Sequence, residues 1–469
     1  MRTPILKDRL SAFRLRLSQP VSALSLAVFR ICFGALIFWD VLRFIHYDRV
    51  WRYWVAPEFH FSYPGFSWVS APPEPWIQIL WGVLGLAALM VALGLFYRLA
   101  VIVLTLLFAW FFLIDAAEYL NHFYLVLLYG FLLCFLPAAR VWSLDALIRR
   151  RRGRPEPEAV PYAAVFLLRA QTEIMLIFAG LVKLTPDWLA GEPLGIWMRE
   201  RTAGLWLEPL ARQDWLIVAA CWAVIALHVL GAPLLLWRRT RLTVFLIYGV
   251  FHIGNAWAFN IGIFPWLTIA ATTIFFAPDW PARFLRRPLA ATPEAAPRKP
   301  VSSLALAAMA CWIALQLALP LRGTFFDSEV RWSGDGHRFS WRMRIYDRQA
   351  EGRFLVKDRA TGQEWIVDPV AFLTPRQADK MLVRSDLVRQ FAAHLAEVWR
   401  AAGYEVSVRA EICKSLNGRP CQDFIDPQVD LTQVRSNPFG ADPWVKPLEI
   451  PVWGAARARE AERPERPAP

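Results

Sequence analysis

Residues 76–117 read WIQILWGVLGLAALMVALGLFYRLAVIVLTLLFAWFFLIDAA, and Arg98 and Asp115 are the only charged positions in that run. A helix rises about 1.5 Å per residue, so about 20 mostly apolar residues cross a bilayer. The run therefore predicts two crossings, 76–96 and 99–117, folded back at Tyr97-Arg98. Outward from it, further apolar stretches lie at about 22–44, 122–140, 161–184, 214–237, 242–258, 260–277 and 302–320, giving about nine spans. The seventh and eighth are short and share the turn around Asn255–Gly262. Composition agrees: apolar residues make up 56% of the 469 positions, with 24 Trp and 32 Phe. Soluble domains carry roughly 45–50% apolar residues, and aromatic residues suit spans and interfaces. The expected fold class is a polytopic α-helical membrane protein with a C-terminal, β-rich α+β soluble domain.

The formal net charge of +13 is placed by topology. Lys and Arg accumulate in cytoplasmic loops of membrane proteins. With the N-terminus in the cytoplasm, the inner segments hold 20 Lys and Arg and the outer loops 6, the run Arg149–Arg152 dominating one inner loop. An odd number of spans then puts residues 321–469 outside. Such a distribution argues for a membrane partner and no nucleic acid. The N-terminal MRTPILKDRLSAFRLRLSQP is basic and amphipathic, without a small-residue cleavage site after a short apolar core, and reads as a retained cytoplasmic segment. The expected organisation is a cytoplasmic segment 1–21, a transmembrane domain 22–320, an extracytoplasmic α+β domain 321–454 and a charged, Pro-rich disordered tail 455–469.

Within the outer domain, Arg338–Tyr346 and Arg353–Asp368 alternate like strands, the latter turning at Ala360-Thr-Gly362. Residues 375–402 have helical spacing, with Met381, Leu382, Leu387, Phe391, Leu395 and Val398 on one broad face. Tyr404–Ile412 and Asp423–Val429 read as a strand pair around Asn417-Gly418, a hairpin-forming dipeptide. Cys413 and Cys421 flank that turn: in an oxidising compartment they are placed for a disulfide, and otherwise they are two free thiols. The other four cysteines lie in apolar runs, and no Cys/His spacing of zinc type occurs. No metal is expected.

Ionisable groups in spans are costly and are functional candidates by default. Arg169 and Glu173, four apart on one helix, are placed to neutralise each other. Asp115 and Glu118 sit near an outer loop, where water would solvate them, and His228 lies among Leu and Val as a satisfied core imidazole. Lys183 stands near the outer end of the fifth span, where a lysine either snorkels to the interface or, if desolvated, loses its proton near neutral pH and serves as a base. His122 opens the fourth span and His252 lies in the seventh. By topology, His122, Lys183 and His252 fall toward the outer leaflet, beneath the C-terminal domain. Three protonatable groups at one depth make a candidate site at the lipid–water boundary.

Around these residues run several motifs: Gly94-Leu-Phe-Tyr-Arg98, Leu120-Asn-His-Phe-Tyr-Leu125, Trp142-Ser-Leu-Asp145 and Leu168-Arg-Ala-Gln171. They continue with Ala179-Gly-Leu-Val-Lys-Leu-Thr-Pro-Asp-Trp188, Phe251-His252, Phe259-Asn-Ile-Gly-Ile263 and Ala277-Pro-Asp-Trp280. In the outer domain follow Phe339-Ser-Trp341, Phe424-Ile-Asp-Pro-Gln-Val-Asp430, Asn437-Pro-Phe439 and Trp444-Val-Lys-Pro447. In this order, over roughly residues 20–450, the sequence resembles the vitamin K-dependent γ-glutamyl carboxylase family, including its bacterial membrane relatives.

The resemblance implies an enzyme that couples oxidation of a quinol by O₂ to carboxylation of peptidyl glutamate. In the family a lysine deprotonates the quinol, and the oxygenated quinone then acts as the strong base. CO₂ captures the resulting carbanion, and quinone epoxide is the by-product. On this likeness Lys183 matches the lysine, and His122 and Asn121 match the pair that steadies developing negative charge. His252 matches a further pocket histidine and Met343 a residue near the quinone ring. The co-substrates implied are reduced vitamin K or menaquinol, O₂ and CO₂. The implied partners are a glutamate-containing polypeptide and the membrane lipid that carries the quinone, and the implied location is a bacterial inner membrane with a periplasmic C-terminal domain. Animal members often carry two lysines where this chain has Val182-Lys183, and their outer domain is longer. Two other readings stand beside this one: a quinol-binding oxygenase or epoxidase without peptide carboxylation, and a non-catalytic membrane scaffold. A transporter would show inverted repeats, and the sequence has no convincing internal repeat.

Overall fold

The computed structural model describes residues 3–259, 261–286, 300–326, 328–435 and 442–450. An N-terminal helix, α1 (Thr3–Ser18), precedes the apolar helices α2 (Leu24–His46), α3 (Trp76–Leu93), α4 (Tyr97–Ile114), α5 (Asn121–Phe135) and α6 (Tyr162–Leu181). Then come α7 (Asp214–Leu236), α8 (Arg241–Ala258), α9 (Phe264–Phe275) and α10 (Ser303–Phe325). Among the described residues, six of these are long and apolar enough to cross a membrane: α2, α3, α4, α6, α7 and α10. The other three expected spans are also helical, but α5 and α9 are short, and α8 carries Arg241, His252 and Asn255. The chain is thus a mostly helical membrane protein with a C-terminal sheet domain.

Close helix contacts explain glycine at one crossing. A Cβ at Gly34 would lie 2.5 Å from Ala92 N and 2.7 Å from Ala88 O, so α2 and α3 touch backbone to backbone there. The turn between α3 and α4 is held by polar groups, of which Arg30 is buried. Gly94 caps α3 at φ +64°, and a Cβ on it would fall 2.0 Å from Arg30 Nη1. Asp145 accepts the free N–H groups of Phe96 and Tyr97, both at 2.9 Å, at the start of α4. Strands β1 (Pro20–Ser22) and β2 (Ala159–Pro161) pair antiparallel at the entrances to α2 and α6.

Arg169 and Glu173 do not neutralise each other. Arg169 donates to the carbonyls of Ile274 (2.9 Å), Phe275 (3.2 Å) and Phe276 (2.8 Å), capping the end of α9, while both Glu173 oxygens are buried without a hydrogen-bond partner. A guanidinium satisfies several orphan carbonyls of a helix end at once, which a carboxylate four residues away cannot offer.

The C-terminal sheet is antiparallel in the order β4-β3-β5-β6, formed by β3 (Arg348–Asp358), β4 (Glu364–Val367), β5 (Val406–Leu416) and β6 (Gln422–Asp423). Phe354 opposes Ala410 in the register, and helices α11 (Pro375–Leu382) and α12 (Ser385–Ala401) cover one face, where Phe391 packs edge-on to Phe354. The expected single helix over 375–402 is two, broken at Val383-Arg384, and the expected strand 423–429 shrinks to β6 and an isolated bridge between Ile425 and Val445. Cys413 and Cys421 are joined by a disulfide with a Cα–Cα distance of 5.5 Å.

Arg338–Tyr346 is not a strand. Phe339, Trp341 and Arg344 have φ of +61°, +55° and +50°, the left-handed region that bulky residues rarely enter. Its alternating residues serve another purpose: Phe339 and Trp341 pack on Tyr124 of α5, each at a ring distance of 5.0 Å. Asp115 and Glu118 are not solvated either. Arg376 grips Glu118 through three hydrogen bonds of 2.7–3.0 Å, and Gln377 donates to Asp115 at 2.8 Å. These contacts dock α11 onto the outer end of the helical bundle. The expected tail 455–469 and the Asn437-Pro-Phe439 motif lie outside the described residues.

Candidate functional site

Where the sheet domain meets the helices, a cavity of about 560 Å³ is lined by Asn121, His122, Lys183, His252 and Met343 together. All five residues singled out by the sequence therefore share one space.

Helix α6 ends at Leu181, and Lys183 sits in the turn that follows, before Thr185 caps the short helix Pro186–Leu189. Lys183 is 5% exposed and does not snorkel. Its Nζ donates to Ala179 O at 2.7 Å and to Met343 O at 3.2 Å, and lies 5.2 Å from the Trp188 ring centroid. Burial pulls this ammonium down to about 7 from the ordinary lysine range near 10.4. A neutral amine has two N–H donors and one lone pair. The two carbonyls match the two donors and leave the lone pair available.

His252 of α8 is 2% exposed, and neither ring nitrogen has a hydrogen-bond partner. Its ring lies nearly parallel to that of Tyr248 at 5.9 Å. Buried imidazoles are normally satisfied, so this one stands out, although both nitrogens are enclosed by protein and only the edge of the residue borders the cavity. His122 stands at the first turn of α5, its Nε2 3.5 Å from where a Cβ of Gly262 would be. Gly262 has φ +63°, and a side chain there would project between His122 and Arg43. Asn121 accepts from Tyr119 OH at 3.1 Å and donates to Arg342 O at 3.4 Å, which fixes the orientation of its amide.

His228 also lines the cavity. Its Nδ1 donates to Val224 O at 2.8 Å, because a carbonyl can only accept, and Nε2 is then the basic nitrogen. The sequence reading of a satisfied imidazole describes one nitrogen and misses the place on the wall. Gly180 lets α6 approach it: a Cβ there would be 2.8 Å from His228 Cβ.

The outer wall is cationic. Arg49, Arg342, Arg344, Arg376 and Lys380 line it, against one acid, Asp40. Arg376 is committed to Glu118 and Asp40 to Arg43 at 3.0 Å. Arg344 lies over Phe259 (4.6 Å) and Trp197 (5.6 Å), and burial lowers the Lys380 amine to about 8. Sequence reasoning missed these groups because Arg342 and Arg344 sit in a stretch that alternates like a strand, and Lys380 sits in an ordinary amphipathic helix. The only signal was Met343 flanked by two arginines.

Two domain families match the chain. The HTTM domain covers residues 18–280, and the lumenal domain of vitamin K-dependent gamma-carboxylase covers residues 301–450. No solved structure matches it.

Proposed function

The chain belongs to the vitamin K-dependent γ-carboxylase family, and from that premise we propose that it carboxylates peptidyl glutamate, using reduced vitamin K or menaquinol, O₂ and CO₂. The work would be divided between a membrane part, residues 22–320, and an extracytoplasmic part, residues 321–454, that closes over it at a bacterial inner membrane. The observation that supports the reading is the amine of Lys183: buried, drawn toward neutrality, donating to two carbonyls and lining a 560 Å³ cavity.

A glutamate γ-carbon is far too weak an acid for any side-chain base. When bound, the reduced quinone supplies with O₂ the stronger base that the reaction needs. Residues of this chain do the rest. Lys183 Nζ accepts a hydroxyl proton from the quinol ring. His122 and the second N–H of Asn121 face the negative charge that this transfer develops, where fixed donors in a dry site are most effective. His252 and Met343 line the same cavity and would hold the quinone there, the unpaired His252 nitrogens becoming available to it only if the ring turns. Arg49, Arg344 and Lys380 offset the carboxylates of an acidic polypeptide on the outer wall. The docked sheet domain excludes bulk water, which would quench a strong base.

The test uses purified protein in lipid nanodiscs with a glutamate-containing peptide, reduced vitamin K or menaquinol, O₂ and labelled CO₂. Label in the peptide together with quinone epoxide is expected. Epoxide without label would reassign the protein as a quinol oxygenase, and neither product would leave a scaffold. Lys183→Ala is expected to abolish quinol oxidation; retained turnover would remove Lys183 from the mechanism.

A further inference from the structure

Four residues beyond Lys183, the side chain of Asp187 is buried in the domain interface. Arg419 Nη2 reaches its Oδ1 at 2.7 Å, while Arg419 Nη1 and Asn417 Nδ2 reach its Oδ2, each at 2.8 Å. Both ion-pair side chains are only 2% exposed. Burial alone would raise the Asp187 carboxyl, but the hydrogen bonds and charge of Arg419 hold it below the usual carboxylate range. Arg419 also donates to Ile450 O at 3.2 Å and Leu416 O at 3.0 Å, so its guanidinium is fixed from several sides.

Asn417 completes a second contact. Its Oδ1 accepts from Asp347 N, and its own N–H donates to Asp347 O, both at 2.8 Å. Asp347 follows the left-handed segment that carries Met343, and its carboxylate accepts from Trp197 Nε1 at 3.3 Å. The turn Leu416–Arg419 thus touches both pieces of chain that meet at the lysine. One is the segment just after Lys183, and the other supplies the carbonyl that Lys183 donates to. Asn417 and Gly418 hold the turn with φ of +52° and +75°, and the Cys413–Cys421 disulfide encloses it.

A buried ion pair is weak ground for stability, because apolar residues of similar size often serve as well. Its geometry is better suited to fixing one arrangement. Of the two acceptors of Lys183, Ala179 O lies on the helix that leads into it and Met343 O on the other domain. Only a fixed domain position keeps both in reach.

We propose that Asp187, Arg419 and Asn417 are positioning residues for Lys183: the disulfide-closed turn of the extracytoplasmic domain clamps the chain behind the lysine and keeps its amine buried on the cavity wall. The proposal rests on the reading of Lys183 as the base. With the clamp released, water reaches the amine and its proton is held more tightly.

The experiment is pH-dependent acylation of Lys183, followed by mass spectrometry on the full chain in nanodiscs, beside the pH profile of quinol oxidation. In Arg419→Met the labelling midpoint of Lys183 is expected to move up by about one pH unit or more. Turnover at pH 7 is then expected to fall about fivefold or more and to recover toward wild type at higher pH, while Arg419→Lys restores part of both. Cys413→Ser with Cys421→Ser is expected to shift both readouts in the same direction. Because Arg419→Met strands a buried carboxylate, the double variant Asp187→Leu/Arg419→Met serves as a folded control that lacks the clamp. An unmoved midpoint and an unmoved profile in that folded variant would overturn the proposal. Labelling reads the amine without turnover, so a Lys183→Ala variant that still oxidises quinol would sink the base assignment while leaving the clamp to be judged by labelling alone.

Discussion

At the residue scale the proposed reaction rests on one amine, that of Lys183. A lysine at about 7 is mostly charged below neutrality and mostly neutral above it. Quinol oxidation is therefore expected to rise roughly tenfold per pH unit below 7 and to level off above it, which a pH series of kcat would check. The linkage has a definite sign. The folded amine binds its proton less tightly than the unfolded one, so between about 7 and 10.4 the unfolded state carries more protons and stability rises with pH. Lys183→Met removes that burden and is expected to raise the melting temperature at pH 7 while abolishing activity. This lysine was legible in the sequence because a lone cation at a span end demands an explanation. His122 and His252 were legible for the same reason. The choice between snorkelling and burial was not, since it depends on Met343, 160 residues away.

At the element scale, apolar runs are read easily because lipid imposes length and composition together. Interruptions are harder: α5 and α9 fall short of a full span, and nothing in their composition says how neighbours accommodate them. The outer segment 338–346 misled for a related reason. Alternation signals a strand only when a partner strand exists, and here the partners of Phe339 and Trp341 are rings of the helical bundle. Helix contacts give a sharp test. Gly34→Ala drives a methyl group into the backbone of α3, with no side chain free to yield. A destabilisation of about 1–3 kcal/mol or more is expected, seen as a lower melting temperature in detergent. Gly180→Ala, which meets His228 Cβ, is expected to lower quinol oxidation as well as stability.

At the scale of the whole molecule, polar contacts cross between the two domains: the ion pairs Arg376–Glu118 and Arg419–Asp187 and the hydrogen bond from Gln377 to Asp115. Asp115 and Glu118 read as solvated because their partners lie 262 and 258 positions away, a separation that no local pattern reveals. Arg376 is 41% exposed, so the Glu118 pair is worth less than a fully buried one. Glu118→Gln is expected to cost about 1–2 kcal/mol of docking and to speed limited proteolysis of the sheet domain, with the helical part left intact.

The left-handed segment Phe339–Arg344 has a consequence for biogenesis. Its aromatic rings find their burial in Tyr63, Phe112, Tyr119 and Tyr124, all contributed by chain that leaves the ribosome earlier. Those rings therefore reach their burial only once the C-terminal segment lies against the helical bundle. Secreted by itself, that portion would display those rings to water and adhere to chaperones or to its own copies.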